Sequence, residues 1–504
     1  MNVIVILMAL FLGLAPLLAG LFDLFGSPEA LSELFSSRIL SLWGSTVLLG
    51  LATAGCSLLV GTPVGWAVAR CRSTGLVGAL LPLPLILPPW VVGVAWTEAA
   101  PLAGFWGAVF LLTASLWPLV ALFSLRGFRS SARAGEAARV FRGASAAWRG
   151  VEWPLASPSV LSGALLVFIF AITDFGVVDF LSFSSPEPYV VMSSEIFQKW
   201  ARVQSGEGAA AVSLPAMATC LVALFGMLTL ERRHSGRFVD SASQTVRLKR
   251  LGGPRLVGLL LLAGVTAVPL VVLIGWSLSG EDPWAPIGAH RDKIVLSVSV
   301  AAATGALVAA LGVKLARLTI AWGPRRGGRL LALLMLPLAA PAVTFAVGEI
   351  RLWNHPWNPL ADLVYPSPAL LVLSLVGRML PLGVLAARAV LVRQDQLPFA
   401  AARLTGRSVL KRWLRIELPM LAPATGLAFS LGFLLSLREL DMVVLVPAGS
   451  RTLAHVIFSM VHIGSDSVTA VLCLTLFALV LVPAVVGRLL GVPGVDCRPP
   501  GRVP

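Results

Sequence analysis

The sequence predicts an all-α integral membrane protein of twelve transmembrane helices, arranged as two parallel six-helix repeats with N-terminus and C-terminus both cytoplasmic. Three observations carry that prediction. Of 504 residues, 57% are hydrophobic and only 12% charged, and the mean hydropathy is +0.88, whereas a soluble protein carries about 25% charged residues. Twelve stretches are long and apolar enough to cross a bilayer, and features of the first six recur in the last six. The composition excludes a water-soluble globular enzyme, and it excludes a disordered or nucleic-acid-binding chain despite the net charge of +15. The five cysteines (Cys56, Cys71, Cys220, Cys473, Cys497) are far apart and include no CxxC pair, which argues against a zinc site or a disulfide framework.

A membrane-spanning helix needs about 20 apolar residues with few charges. Charge-free stretches of that order occupy 3–22, 39–69, 73–97, 99–125, 153–173 and 208–230, then 256–280, 294–313, 330–348, 418–437 and 467–487. One further stretch, 363–387, is interrupted only by Arg378. A polar segment divides the chain into a first unit at 1–230, a cytoplasmic linker at 231–255 and a second unit at 256–504. The first stretch has no Lys or Arg before it and no obvious small-residue cleavage site, so it reads as a span rather than a cleaved leader.

Orientation follows the basic residues. With the N-terminus inside, the even-numbered connections and the tails hold 30 of the 39 Lys and Arg residues and 7 of the 24 acidic ones. The opposite connections carry Asp23, Glu29, Glu33, Glu98, Glu187, Glu195, Glu207, Glu281, Asp282 and Asp292. The positive charge is thus a signal of topology.

Six spans per half make the two halves enter the membrane in the same direction, so a duplication is parallel. Span three contains Pro84 and Pro88 in LPLPLILPP, and span nine contains Pro337 and Pro341 in LPLAAP, with the same spacing. Spans four and ten carry Pro118 and Pro381. Residues 135–158 match residues 399–423, and Pro154, Pro158 and Asp174 answer Pro419, Pro423 and Glu439 at a common offset of 265.

The matching segments lie in two cytoplasmic loops, 126–158 and 392–423. Each begins with arginines (Arg126, Arg129, Arg133; Arg388, Arg393), runs through alanines to a glycine, and ends at a proline. Alanine favours helix, glycine interrupts it, and proline suits a helix's first turn. Each loop is therefore expected to hold a short cytoplasmic helix, a break at Gly143 or Gly406, and a second helix entering the membrane. The small faces Ala137/Ala138 and Ala401/Ala402 would let another protein surface approach closely.

The second loop resembles the EAA motif of bacterial ABC-transporter permeases: Ala401, Ala402, Gly406, Ile416, Leu418 and Pro419 fit its spacing, with Ala400 in the Glu position. The first keeps Glu136, Ala137 and Ala138, but Gly143 falls seven after the Glu and Pro154 eleven after the Gly, a departure from the pattern. Asp174–Gly176 after the first motif and residues 437–459 after the second are similar to the iron(III) and thiamine branch of fused permeases. The resemblance implies an ATP-driven importer in which this chain forms the translocation pathway. It further implies two copies of a cytoplasmic ABC ATPase subunit, one per motif, and a periplasmic substrate-binding protein, in a bacterial inner membrane. Iron(III) is the first expected solute, with thiamine, a phosphonate or another small solute as alternatives. ATP and Mg would reside on the partner ATPase, with no cofactor in this chain. Independently, none of the five lysines (Lys199, Lys249, Lys293, Lys314, Lys411) follows a glycine, as a P-loop requires.

Ionisable residues inside a span are costly and suggest function. Arg378 falls near the middle of span ten, with Asp174 and Glu439 toward the outer ends of spans five and eleven and Asp179 and Asp441 close by. Asp174 and Glu439 are expected to line the translocation path, with Arg378 pairing with one of them; the alternative is that the carboxylates are interfacial. His455 and His462, seven apart, read as surface histidines. Trp43, Trp90, Trp96, Trp200, Trp276 and Trp284 read as an interfacial aromatic belt. A secondary transporter would carry an acidic–basic signature between spans two and three, where this chain reads Arg70-Cys71-Arg72-Ser73-Thr74. A polytopic membrane enzyme would need a catalytic cluster at one face, and the carboxylates and histidines form no such motif. No catalytic residue and no metal site is expected.

Overall fold

A chain crossing lipid must satisfy its backbone polar groups internally, which leaves long apolar stretches little choice but helix. The computed structural model describes residues 2–22, 32, 34–70, 81–184, 188–201, 203, 206–235, 252–280, 282–356, 358–392, 394, 397, 401, 408–445, 451–464 and 466–489, and among them every regular element is helical. The main helices are α1 (Asn2–Leu21), α2 (Ser37–Ala69), α3 (Pro89–Ala99), α4 (Gly104–Arg142), α5 (Trp153–Thr173), α6 (Gly176–Ser184), α7 (Met192–Ala201) and α8 (Gly206–Ser235). They continue as α9 (Gly252–Leu278), α10 (Arg291–Ala321), α11 (Gly323–Met335), α12 (Ala342–Trp353), α13 (Pro368–Leu391), α14 (Leu418–Arg438), α15 (Leu453–Ile463) and α16 (Asp466–Leu489).

Among the described residues eight helical segments are long and apolar enough to cross a membrane unaided: α1, α2, α4, the run Ala144–Thr173 that contains α5, the part of α8 up to Glu231, α10, α13 and the run Leu414–Arg438 that contains α14. A ninth is a bent pair, Gly323–Ala339 with Ala342–Trp353, whose arms lie 97° apart. Two of the predicted spans are thus not single straight helices. In the described part of 73–97, a four-residue helix (Leu83–Ile86) stops and α3 restarts at Pro89. The cause is proline. It donates no hydrogen bond and pushes the preceding residue out of the helical region. Leu87, before Pro88, has φ −71°, ψ 132°, and Ala340, before Pro341, has φ −96°, ψ 138°. Equivalent prolines break equivalent stretches in the two halves.

Within the first unit α2, α4 and α5 pack against one another, and within the second α10, α13 and α14 do the same. The first helix of each unit reaches into the other unit. α1 packs against α12 and α13, while α9 packs against α16 of its own unit and against α3 and α2 of the first. On α1 the buried face is Ala9, Leu12, Gly13, Pro16, Leu17 and Gly20, a stripe at helical spacing that lets backbones approach closely. The approach is close enough that a Cβ on Gly348 of α12 would overlap the Pro16 carbonyl. The opposite face, with Val3, Ile4, Leu7 and Leu18 each more than 60% exposed, is left for lipid.

Candidate functional site

α4 is 39 residues long, about 58 Å at 1.5 Å per residue, nearly twice the ~30 Å hydrocarbon core. Its last turns therefore project beyond the membrane and carry Glu136, Ala137 and Ala138. The separate short helix expected from the sequence is instead the continuation of this span, because nothing between Arg126 and Arg142 breaks the helix. The break comes at Gly143, with φ 77° and ψ 168°, a region essentially closed to residues with a Cβ. Ala137 is exposed, and Val140 and Phe141, just before the break, are 80% and 86% exposed. The sequence reading passed over these two apolar side chains. Their signal was available: large apolar residues among arginines, directly before a helix-breaking glycine.

After Gly143 the chain forms a short helix (Ala144–Ala147) and a π-helical turn (Trp148–Glu152), and enters α5 with Pro154 in the first turn. The second loop repeats this: Val409–Arg412, a π turn at Trp413–Glu417, then α14 with Pro419 in the first turn. Both π turns and both following helices differ by 265 in number. Ile416 is half-buried in the second π turn, Pro419 is exposed, and Ala401 is helical and exposed. Ala402 and Gly406 lie outside the described residues.

Each π turn ends in a glutamate that the sequence reading did not single out. Glu152, 5% exposed, accepts from Arg70 at the end of α2 (2.6 Å) and from Arg139 on the projecting part of α4 (2.7 Å from Nε). Glu417 pairs with Arg317 on α10 (3.4 Å) and Arg412 (3.3 Å). The clue was the shared 265 offset, which Glu152 and Glu417 obey as the neighbouring prolines do. The first loop is tied down further: Arg70 stacks over Trp66, 4.2 Å from the ring centre, and the Ser159 hydroxyl of α5 donates to the Phe123 carbonyl of α4 (2.8 Å).

At the other end of α5, about 30 Å away along the axis, lies a charged cluster. Asp174 and Glu439 end α5 and α14 with extended backbones, ψ 128° and 120°. Asp174 accepts from the Val177 amide (2.9 Å), and its carbonyl accepts from the Ser193 hydroxyl (2.7 Å). The Phe175 amide of the first unit donates to Asp441 of the second (3.4 Å), and Asp174, Arg438, Glu439 and Asp441 act on one another electrostatically. Both helix breaks reach toward arginines, Arg378 buried and Arg438 half-buried. Arg438 donates to the Leu85 carbonyl, and Arg378 donates to the Ala340 carbonyl (2.9 Å). Each takes a carbonyl at or beside the residue where its helix is interrupted.

No family model matches the chain. It is 24% identical over 446 residues, 84% of each chain, to the Fe(3+)-transport system permease protein FbpB 2 of Haemophilus influenzae. It is 32% identical to the molybdenum transport system permease protein ModB of Azotobacter vinelandii over 181 residues, 76% of that protein and 30% of this one. The molybdate/tungstate transport system permease protein WtpB of Thermococcus kodakarensis matches at 29% over 164 residues, 66% of its length.

The chain belongs to the ABC-transporter permease family. It is a multi-pass protein of the inner membrane.

Two further residues of the permease depart from their sequence reading, and a third, Glu349, was not singled out by it. His462 is no free surface histidine: its Nε2 lies 3.7 Å from Asp179 of the first unit, and its ring sits between Phe183 and Phe458. Trp90 is 4% exposed, inside the core rather than in an interfacial belt, and lies against Gly176. Glu349, just past the edge of an apolar stretch, is 1% exposed and accepts from the Trp353 indole (2.8 Å). Among the described residues no group of three or more His, Cys, Asp or Glu side chains is placed to hold a metal ion.

Proposed function

We propose that the permease forms the translocation pathway of an ATP-driven importer that takes a small solute from a binding protein on the outer face, iron(III) in the first place. The observation that carries this is the likeness to an Fe(3+)-transport permease along 84% of both chains. In this reading the chain is a fused pair of six-span units, twelve spans in all, with both termini inside. The duplication is supported by the 265 offset of the π turns. It is also supported by the ModB alignment, in which 76% of a relative occupies only 30% of this chain.

Two ATPase subunits would dock on the two loops, the first around Ala137, Val140 and Phe141, whose exposed apolar surface at the end of a projecting helix suits insertion into a groove. Closure of the ATPase pair would move both loops. α5 and α14, each running unbroken from its loop to the charged cluster, would carry the movement to Asp174 and Glu439. Opening there would separate the Phe175–Asp441 contact between units and expose a path lined by carboxylates, which suit a hard cation. Arg378 and Arg438, holding the broken helices, would then be released or retained as a set.

A second reading is molybdate or a similar oxyanion, favoured by the relatives transporting molybdenum and molybdate/tungstate and by Arg378 and Arg438 at the helix breaks. The test is reconstitution of the permease with its ATPase and binding protein in lipid, followed by ATP hydrolysis with ferric ion, molybdate or thiamine. Stimulation by ferric ion alone supports the first reading, and stimulation by molybdate alone replaces it with the second. Failure of any ATPase to associate refutes both.

A further inference from the structure

One buried carboxylate in the first loop joins three elements at the cytoplasmic end of the molecule. Arg70 is the last residue before the chain leaves α2, Arg139 lies on α4 before the Gly143 break, and Glu152 lies after it, at the mouth of α5. The two arginines approach different carboxylate oxygens, Arg70 at Oε2 and Arg139 at Oε1, both within 2.6–2.7 Å. Glu152 is also seated against the α4 backbone, because a Cβ on Gly135 would lie 2.5 Å from its Cγ. The hydrogen-bonded carboxylate therefore closes the loop Arg139–Glu152 on itself across the glycine break, and fastens it to α2. Without that closure Gly143 is a hinge, and a push on Val140 and Phe141 would bend the loop instead of moving α5.

We propose that Glu152 is the positioning residue that makes the first loop a rigid lever, so that ATPase closure displaces α2, α4 and α5 together. This rests on the ATP-driven reading above. Glu417 performs the same duty in the second unit with longer contacts, 3.3 and 3.4 Å. The role is separate from ATPase docking, since Glu152 is buried while the docking side chains are exposed.

The test uses the full permease with its ATPase, in lipid, with nitroxide labels at Val203 and Ile463, two exposed positions that belong to different units. The ATP–vanadate-induced change in label separation is measured beside ATP hydrolysis and ATPase retention. Glu152→Gln is expected to keep the ATPase bound and hydrolysing while the fraction of molecules showing the change falls about fivefold or more, the low end of coupling factors between linked sites. Arg139→Gln, which leaves Arg70 on the carboxylate and so is less exposed to misfolding, is expected to fall in the same direction. Glu152→Asp, which keeps an anion between Arg70 and Arg139 while losing more packing than Glu152→Gln, is expected to retain the change, which a role in packing alone would not allow. The proposal is overturned if Glu152→Gln and Arg139→Gln move as the unsubstituted permease does, or if the movement disappears only together with ATPase binding. If the unsubstituted permease recruits no ATPase, the importer reading fails and the lever with it. If it recruits one and Glu152→Gln changes nothing, the lever alone fails.

Discussion

The first and second loops share a π turn, a terminal glutamate and a proline at the mouth of the next helix, yet they are fastened differently. In the first, Glu152 is almost wholly buried and its arginines come from two separate helices, α2 and α4, both before the glycine break that Glu152 follows. In the second, Glu417 is 14% exposed, and one of its arginines, Arg412, is only five residues away in the chain. A buried pair is costly to break because the remaining charges stay desolvated, whereas a partly hydrated pair loses little. The two loops share the turn and its carboxylate, and differ in the strength of the tie. The unit whose motif spacing is irregular is the one with the tighter clamp.

The largest expected effect breaks that comparison most directly. Glu152→Gln should cost about 3–5 kcal/mol of stability, since it leaves two guanidiniums without their anion, and Glu417→Gln about 1 kcal/mol or less. Thermal unfolding of both variants in the same detergent measures the difference, and equal losses would show the clamps to be equivalent. Next comes docking. Phe141→Ala is expected to weaken ATPase association by about 2 kcal/mol, the scale of an interface anchor, while Leu414→Ala in the second loop, 48% exposed against 86% for Phe141, should cost less. Titrating the ATPase against each variant gives both numbers. The hinge follows: Gly143→Ala should cost about 1–3 kcal/mol for its left-handed backbone. Gly150→Ala, with open space around its Cβ, should be neutral or stabilising by up to about 1 kcal/mol. The smallest effect is at the contact between units, where His462→Gln removes a half-exposed 3.7 Å pair with Asp179 and should change stability by less than about 1 kcal/mol.

Hydropathy located the membrane helices because lipid imposes helix wherever the chain is apolar. It failed where proline overrides apolarity: LPLPLILPP is as greasy as its neighbours, and only the missing N–H groups at Pro82, Pro84, Pro88 and Pro89 distinguish a broken helix from a span. The loops were legible in outline, since Gly143 and Pro154 mark a break and a helix start. Their fastening was not, because Arg70 and Glu152 are 82 residues apart and nothing local to either reveals the other. For the same reason sequence position put Trp90 and His462 at a surface, when packing between units covers the one and partners the other. Arg378 was found by its cost inside an apolar stretch, and Asp174 and Glu439 by the 265 offset they share at the ends of theirs, whereas Glu349, also one residue beyond an edge, escaped because it has no acidic counterpart at that offset.

The packing of α1 on the second unit has a consequence for manufacture. α1 is among the first segments to leave the ribosome, yet the surface that receives it, around Gly348 and Gly377, is made some 330 residues later. At about 5–20 residues per second, α1 waits on the order of half a minute in the bilayer with its glycine-lined stripe facing lipid or a temporary companion. Throughout that interval a chain half made is a chain with an unmatched helix, open to pairing with the wrong neighbour, and the arrival of α12 and α13 is what ends the wait. The two halves are therefore not successive products but a single late-closing one, completed only when the far end reaches back for the beginning.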